Sequence, residues 1–585
     1  MIEYALIRER EDWLRFTSPV EVIVAHEHGE VLDRLREVER GVDQRQLYAA
    51  GFVAYEAAPA FDAAFQVQPS TGALPLMLFG LFERPERLSR LPRNGSASYS
   101  LGEWRPTLGQ DAYRRAVERI RKLIARGDTY QVNYTFGLRA PFEGDPYALF
   151  VDAQQAQQAA YAAYLELDGH AICSASPELF LRLEQDRLVC RPMKGTAVRG
   201  HSLDADREQM RWLASSAKNR AENLMIVDMV RNDLGRVAEI GSVEVPSPFD
   251  VERYPTLLQM TSTVAARSSA PMTEILAALF PSASITGAPK VRTMEIISKL
   301  ENAPRGVYTG AIGFIAPDRR AQFNVAIRTA VIDRAEGSAS YCVGGGIVWD
   351  SKAAEEYAEC RIKARILTRP PPDFDLLETL LWRPGRGYYL LDLHLHRLRD
   401  AAAYFVRPCD TEQIRARLEE LAEGLPTEDH RVRLLVAPDG VPSIETHALR
   451  PDAVQRTARI DLAGSPVHSR DPFLHFKTTH REVYDRALES RPGCDDVLLY
   501  NERGELTESC FANLVLRRNG RLLTPPLHCG LLAGTFRSEL LARGEISEQI
   551  LRVDELDDAD EILLINSVRQ WMGTIWAEQQ IGATR

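Results

Sequence analysis

The sequence predicts an α+β protein built as two successive blocks, and three observations carry that prediction. Its 585 residues are 45% hydrophobic and 26% charged, ordinary for a folded globular chain and long enough for two to four domains. Strand-like alternation and helix-like periodicity interleave along it, without the glycine-rich loop that opens a dinucleotide-binding unit. Pro370, Pro371 and Pro372 then stand in a row, and three prolines cannot continue a helix and favour an extended spacer. They divide a block of residues 1–368 from one of residues 375–585, with 369–374 as the linker. A weaker break, rich in small and polar residues, falls at LPRNGSASYS, residues 91–100.

The elements follow in order. Residues 110–126 place Tyr113, Ala116, Val117, Ile120, Leu123 and Ile124 at helical spacing, with Gly127 as the stop. GDTYQVNYTFGL alternates, which makes a strand with Tyr130, Val132, Tyr134, Phe136 and Leu138 on one face and Gln131, Asn133 and Thr135 on the other. ENLMIVDMV, APKVRTMEIISKLE and SKAAEEYAECRIKARIL read as helices, the second with Pro289 near its first turn. AQFNVAIRTAVID (residues 321–333) and SYCVGGGIVWD (residues 339–349) read as strands. In the second block, DDVLLYNERGELTESCFANLVLRRNGRLLTPPL reads as paired strands with turns at NERG and RNG.

Composition excludes several classes. Lysine and arginine total 71 against 82 acidic residues, a net charge of -11, and no basic stripe with interleaved aromatics argues for nucleic acid. No apolar run approaches the ~20 residues needed to cross a bilayer, and the first twelve residues are too charged for a signal peptide. Eight cysteines without a CxxC pair read as reduced thiols, so the expectation is a cytoplasmic enzyme. Only eight of the 71 cations are lysines, a skew that leaves few amine nucleophiles.

Glu356, Glu359 and Lys363 fall at i, i+3 and i+7 of a helix, putting two carboxylates and an ammonium on one face. A solvated face with an internal ion pair is the ordinary reading; oxygen ligands for Mg²⁺ beside a cation for an anionic substrate is the sharper one. Glu222, in the apolar run AENLMIVDMV, is a carboxylate that needs a partner, and a metal would be one. VCRPMKGTAVRG places Lys194 in a Gly-Thr turn after a strand. A nucleophilic lysine must be neutral, and at its reference pKa only roughly one in two thousand is neutral at pH 7, so Lys194 would have to be desolvated or set near other cations. With no histidine between His201 and His394, acid–base work in that span falls to carboxylates, lysines or tyrosines.

These residues carry a resemblance. GDTYQVNY, SPELFL, PMKGTAVRG, AENLMIVDMVRNDLGRV, PSASITGAPKVRTMEII, YTGAIGF, NVAIRTAVI, GGGIVWDS and EEYAECRIKA run in order across residues 127–366. In them the first block resembles the chorismate-utilising enzymes, the family of anthranilate synthase and aminodeoxychorismate synthase, whose fold is antiparallel sheets with outer helices. Members that add water to chorismate carry a lysine where this chain has Gln131, and anthranilate synthases carry alanine where it has Lys194. Lysine there marks the component I that makes 4-amino-4-deoxychorismate, attacking C2 of the ring before ammonia enters at C4. The resemblance implies Glu178 as the general acid for the C4 hydroxyl, and Glu222, Glu359 and Glu356 as the Mg²⁺ site. It also implies Gln131, Ser284, Tyr308, Arg328, Gly344, Gly345, Gly346 and Lys363 as the substrate contacts. Two departures stand out: Gln259 occupies a position often held by histidine, and no tryptophan-binding LLES-like motif is present.

Downstream of Lys363 the only lysine in 222 residues is Lys477. By composition alone it is a surface residue. Its surroundings, FLHFKTTHREVYDRA together with LDLHLHRLRDAAAYF, the paired strands and GLLAGTFRSELLARG, resemble the fold-type IV pyridoxal-phosphate enzymes across residues 373–575. The last stretch opens a helix whose backbone amides could meet a phosphate. The resemblance implies Lys477 as the Schiff-base lysine and acid–base group, Glu508 as partner of the pyridine nitrogen, and Arg397, Gly534, Thr535 and Ser567 around the phosphate. Phe536 stands where many relatives have a hydroxyl residue. Cofactor residues do not separate lyase from amino-acid aminotransferase; a dimerisation module without catalysis is a further alternative, but one that need not keep Lys477, Glu508 and Arg397 together. The neighbouring block favours an aminodeoxychorismate lyase, hence a bifunctional enzyme of p-aminobenzoate and folate synthesis. No glutaminase motif is present, so ammonia or a separate glutamine amidotransferase subunit is expected as partner, with a homodimer through the second block as a further possibility.

Overall fold

The computed structural model describes residues 2–92, 98–364, 372–449 and 457–577. Pro370 and Pro371 of the expected linker, and residues 93–97 of the weaker break, lie outside the described residues. The chain forms two compact units: residues 1–198 with 210–371, and residues 199–209 with 372–585.

Two antiparallel sheets build the first unit. Among the described residues one has eleven strands and the other ten. The alternating segment becomes strand Gln131–Gly144, which pairs with Ser338–Ile347 along its whole inner half, Gly344 opposite Thr135 and Gly346 opposite Asn133. Apolar side chains of both sheets meet face to face, with Phe16 and Leu165 of one against Phe52 and Phe314 of the other, all at most 1% exposed. Helices cover the two outer faces. Gln110–Ala125 buries Tyr113, Val117 and Ile120 on the larger sheet, and Ala217–Gly235 buries Ile226, Val227 and Val230 on the smaller. The result is four layers, helix–sheet–sheet–helix. The alternation holds: Val132, Tyr134, Phe136 and Leu138 face the helices, while Tyr130, just ahead of the strand, is exposed.

Two local expectations change. Residues 321–333 are not one strand: Arg320–Val325 lies in the ten-stranded sheet and Thr329–Asp333 in the other. The chain crosses between sheets at Ala326–Arg328, and Arg328 takes the left-handed φ of 53° that the turn demands. Lys194 is not in a turn either. It sits in strand Met193–Val198, where Gly195 at φ 92° forms a bulge against strand Leu257–Arg267.

The second unit has a four-stranded antiparallel sheet, Gly387–Tyr388, Leu376–Arg383, His430–Val436 and Pro442–Ala448, backed by helices Leu391–Phe405 and Thr411–Glu423. Its larger sheet closes on itself, because Leu506–Ser509 pairs with both Asp496–Tyr500 and Asn513–Arg518. Ile460, Leu498, Leu514, Leu564 and Met572 fill its core. Residues 199–209 belong here by packing: Leu203 joins the core of the smaller sheet, and Asp206, fully buried, holds Arg199 at 2.7 Å. Among the described residues no helix is long and apolar enough to cross a membrane.

Candidate active site

In the first unit a cavity of about 620 Å³ opens beside the glycine strand. Strand Met193–Val198 supplies Lys194, and the residues just before strand Leu179–Glu184 supply Glu178. Helix Ala217–Gly235 brings Glu222, and helix Ala353–Ala364 brings Glu356, Glu359 and Lys363. The inter-sheet crossing brings Arg328, and Ser284, Tyr308 and Gly344–Gly346 complete the wall. Gln131 lies one layer deeper. It is fully buried, and neither side-chain amide atom has a hydrogen-bond partner. A Cβ on Gly346 would come within 2.7 Å of Gln131 Nε2 and 2.8 Å of Lys194 Nζ, which places both side chains under that glycine. Thus all twelve predicted wall residues line one cavity, with Gln131 against it.

Burial governs the electrostatics. It lowers the Lys194 pKa, with Lys363 adding to the effect and Glu222, Glu178 and Glu359 opposing it. Burial likewise raises Glu178 to about 7, against a hydrogen bond from Ser284 Oγ and the charge of Lys194. Lys363 Nζ meets Glu359 Oε1 at 2.8 Å and donates to the Gly344 carbonyl at 2.9 Å, so Glu359 is held below the usual carboxylate range. Arg328 Nη1 and the Tyr341 hydroxyl both donate to the Lys363 carbonyl, at 2.7 and 3.2 Å. Gln259, at the histidine position, bridges Thr196 Oγ1 and the Gly195 carbonyl, so it braces the bulge beside Lys194.

Among the described residues no three His, Cys, Asp or Glu side chains are gathered closely enough to hold a metal ion. The donor chemistry nonetheless fits Mg²⁺. Glu222 and Glu356 are raised by burial and further by the charge of Glu359, a like-charge cost that a divalent cation would relieve. Sequence reasoning missed Tyr341, Lys218 and Trp212, which also line the cavity. Tyr341 sits in the predicted glycine strand and Lys218 is one of eight lysines; either fact was a usable signal. A buried brace was missed as well. Arg305 donates to the carbonyls of Ile285 at 3.0 Å and Asn133 at 2.8 Å, while Glu301 accepts from the Thr135 amide at 2.9 Å. Glu301 and Arg305 pair at 2.8 Å only four residues apart, but the groups they brace lie far away along the chain, so the local sequence does not mark the network.

The second unit gathers a smaller set. Burial, then the charge of Arg397, lowers Lys477 to about 8, and its ammonium has no hydrogen-bond partner among the described residues. Burial raises Glu508 to about 7, although Tyr484 Oη donates to it at 2.8 Å and Asn513 Nδ2 at 3.1 Å. Gly534 caps helix Thr535–Ala542, and a Cβ there would lie 1.8 Å from Asn513 Oδ1, so any other residue would have to displace the Asn513 side chain. Arg397 turns onto Glu378, at 2.9 and 2.7 Å, and onto the Ala533 carbonyl at 3.0 Å, which leaves two of its five N–H donors. Glu378 is buried, yet Arg397 and His394 hold it down to about 2. Thr535 Oγ1 meets His394 Nε2 at 3.2 Å, and Ser567 Oγ reaches the Thr379 carbonyl at 3.4 Å. Phe536 packs into a core with Val515 and Leu540. A buried unpaired lysine, a buried carboxylate and a glycine-capped helix fit pyridoxal phosphate.

Residues 4–369 match the chorismate binding enzyme family, and residues 375–574 match amino-transferase class IV. The chain is 42% identical over 270 residues to aminodeoxychorismate synthase component 1 of Salmonella typhimurium, covering 46% of this chain and 59% of that protein. It is 45% identical over 256 residues to an aminodeoxychorismate synthase of Streptomyces pristinaespiralis, covering 43% of this chain and 35% of that one. The chain therefore spans between about a third and three-fifths of the length of these relatives. Its fold is shared with anthranilate synthase component I from Streptococcus pneumoniae, at 25% identity and a TM-score of 0.55 over 63% of this chain and 92% of that one. The chain belongs to the chorismate binding enzyme family, extended by a class IV amino-transferase domain.

Proposed function

We propose that the first unit replaces the C4 hydroxyl of chorismate with an amino group and that the second removes pyruvate from the product to leave p-aminobenzoate. The observation that carries the reading is Lys194, an amine with a lowered pKa, set with Glu178 in a cavity lined by carboxylates and cations. Neutral Lys194 attacks C2 of the ring as the C4 hydroxyl leaves with the proton of Glu178, forming water. Ammonia then bonds to C4 and the C2–nitrogen bond to Lys194 breaks, so the sum is chorismate and ammonia to 4-amino-4-deoxychorismate and water. A carboxylic acid with a pKa near 7 is half protonated at neutral pH, suited to giving that proton. Arg328, Lys363 and Tyr308 bind the substrate's acidic groups, Ser284 holds Glu178, and Gln131 and Gly344–Gly346 shape the floor. Mg²⁺ held by Glu222, Glu356 and Glu359 would supply a charge for the ring carboxylate. Ammonia comes from a separate amidotransferase subunit, or directly from solution.

In the second unit pyridoxal phosphate would supply an electron sink, held by Lys477, Glu508, Arg397, Gly534, Thr535 and Ser567. Lys477, with a pKa near 8, takes the C4 proton of the substrate, and the enolpyruvyl group leaves as the ring becomes aromatic. Incubation with chorismate, ammonia, Mg²⁺ and pyridoxal phosphate tests both steps. p-Aminobenzoate and pyruvate in equal amounts are expected. Accumulation of 4-amino-4-deoxychorismate without p-aminobenzoate refutes the second step, and no consumption of chorismate refutes the first.

A further inference from the structure

Two arginine charges act on Lys477, those of Arg397 and Arg481. They differ in one respect. Arg397 is neutralised by the buried carboxylate of Glu378 through two hydrogen bonds. Arg481, four residues after Lys477, has no carboxylate at ion-pair distance among the described residues. Its guanidinium lies 4.6 Å from the ring centre of Tyr484 and 5.3 Å from that of Phe511, and Nη2 donates to the Cys510 carbonyl at 2.6 Å. Among the described residues its remaining donors have no protein partner. Tyr484 in turn donates to Glu508 at 2.8 Å, so the guanidinium lies over a ring whose hydroxyl touches the proposed cofactor carboxylate. Phe511 is 55% exposed, an apolar edge beside the cation. Two ring contacts and one hydrogen bond restrict the guanidinium, and its planar fork suits two-point recognition of a carboxylate.

We propose that Arg481 is the carboxylate anchor of the second site, receiving an acidic group of an amine substrate whose nitrogen is delivered toward Lys477. Phe511 then flanks the substrate's ring. This rests on the reading that the second unit acts on a carboxylate-bearing cyclic amine, and it assigns which cation of this unit selects that substrate. An anchor of this kind contributes to binding more than to turnover, because it touches a group that does not react.

The test uses the full chain loaded with pyridoxal phosphate and titrated with 4-hydroxybenzoate. Binding is followed by the visible absorbance of the bound cofactor, which reports only the second unit. Arg481→Gln is expected to weaken binding on the order of 10- to 100-fold, as for loss of a charge-assisted pair. The same variant should raise KM for 4-amino-4-deoxychorismate with kcat within about threefold. Arg481→Lys, which keeps the charge and loses the fork, should fall between. Equal affinity in wild type and Arg481→Gln overturns the proposal. Should Arg481→Gln fail to hold cofactor, Arg481→Lys decides: weaker carboxylate binding supports the anchor and unchanged binding overturns it. If no p-aminobenzoate forms but carboxylate binding still depends on Arg481, the lyase reading fails and the anchor stands.

Discussion

Three consecutive glycines face three different neighbours, which makes the Lys194 mechanism testable by adding one carbon at a time. A Cβ at Gly346 meets only side-chain tips, Lys194 Nζ at 2.8 Å and Gln131 Nε2 at 2.7 Å, whereas ordinary contact begins at 3.4 Å. The Lys194 amine must therefore retreat by about 0.6 Å, and misplacing a reacting group by 1 Å costs on the order of 100-fold. Gly346→Ala should lower the rate of 4-amino-4-deoxychorismate formation about 10- to 100-fold, or about 1.4 to 2.7 kcal/mol in the barrier. Because flexible tips move cheaply, stability should change by less than about 1 kcal/mol. Gly344→Ala is the opposite case. Its Cβ would lie 2.5 Å from the Tyr134 carbonyl, backbone that cannot yield, so it should cost about 1–3 kcal/mol of stability. At Gly345 the nearest atom is Glu356 Oε2 at 3.3 Å, and the effect on either measure should be smaller. The assay is product formation from chorismate with saturating ammonia and Mg²⁺, beside a thermal unfolding curve for each variant. Gly346→Ala with activity within threefold of wild type, or with a stability loss matching that of Gly344→Ala, refutes the placement of the lysine as nucleophile.

Other outcomes follow from single groups. Glu178 must be protonated to act as the acid and has a pKa of about 7, so the amination rate at constant free ammonia should turn down as pH rises through about 7. That limb should vanish in Glu178→Gln together with ~100- to 10,000-fold of activity; a rate that climbs steadily to pH 9 in the wild type contradicts the role. Lys477→Ala should abolish borohydride attachment of pyridoxal phosphate while leaving chorismate amination within about twofold, and mass spectrometry of the reduced peptide checks it. Asp206→Ala removes one partner of the fully buried Arg199 pair and should destabilise the second unit by about 3–5 kcal/mol, read as a lowered unfolding midpoint in urea. A change below about 1 kcal/mol would show that residues 199–209 are not integral to that unit.

Legibility varied with the range of the interaction. Period-two alternation fixed which face of Gln131–Gly144 is apolar, because pleating alone decides it. The same reasoning put residues 321–333 in one strand, since no local signal marks the point where a chain changes sheets. Lys194 looked like a turn residue because its neighbour is glycine, yet that glycine forms a bulge within a strand. The helix face of Glu356, Glu359 and Lys363 was readable from spacing; that Lys363 pairs with Glu359 and also braces the Gly344 carbonyl was not. Arg397 could be recognised but its pairing with Glu378 could not, as the two meet only through packing of helix Leu391–Phe405 on strand Leu376–Arg383.

By itself the sequence determined the residue types, their order, the periodicities that set each element's buried face, and two lysines whose surroundings mark two chemistries. Those are properties of neighbours within a turn or two, where the pitch of a helix or the pleat of a strand is the whole geometry. Tertiary structure alone decided that carboxylates from two helices share a wall with Lys194, that Gln131 lies beneath Gly346 without a partner, and that residues 199–209 pack with the second unit. It also decided which cation near Lys477 is left uncompensated. Desolvation and pairing depend on what is packed against a group from elsewhere in the chain, and that is why both lysines acquire lowered pKa values only once the fold is formed.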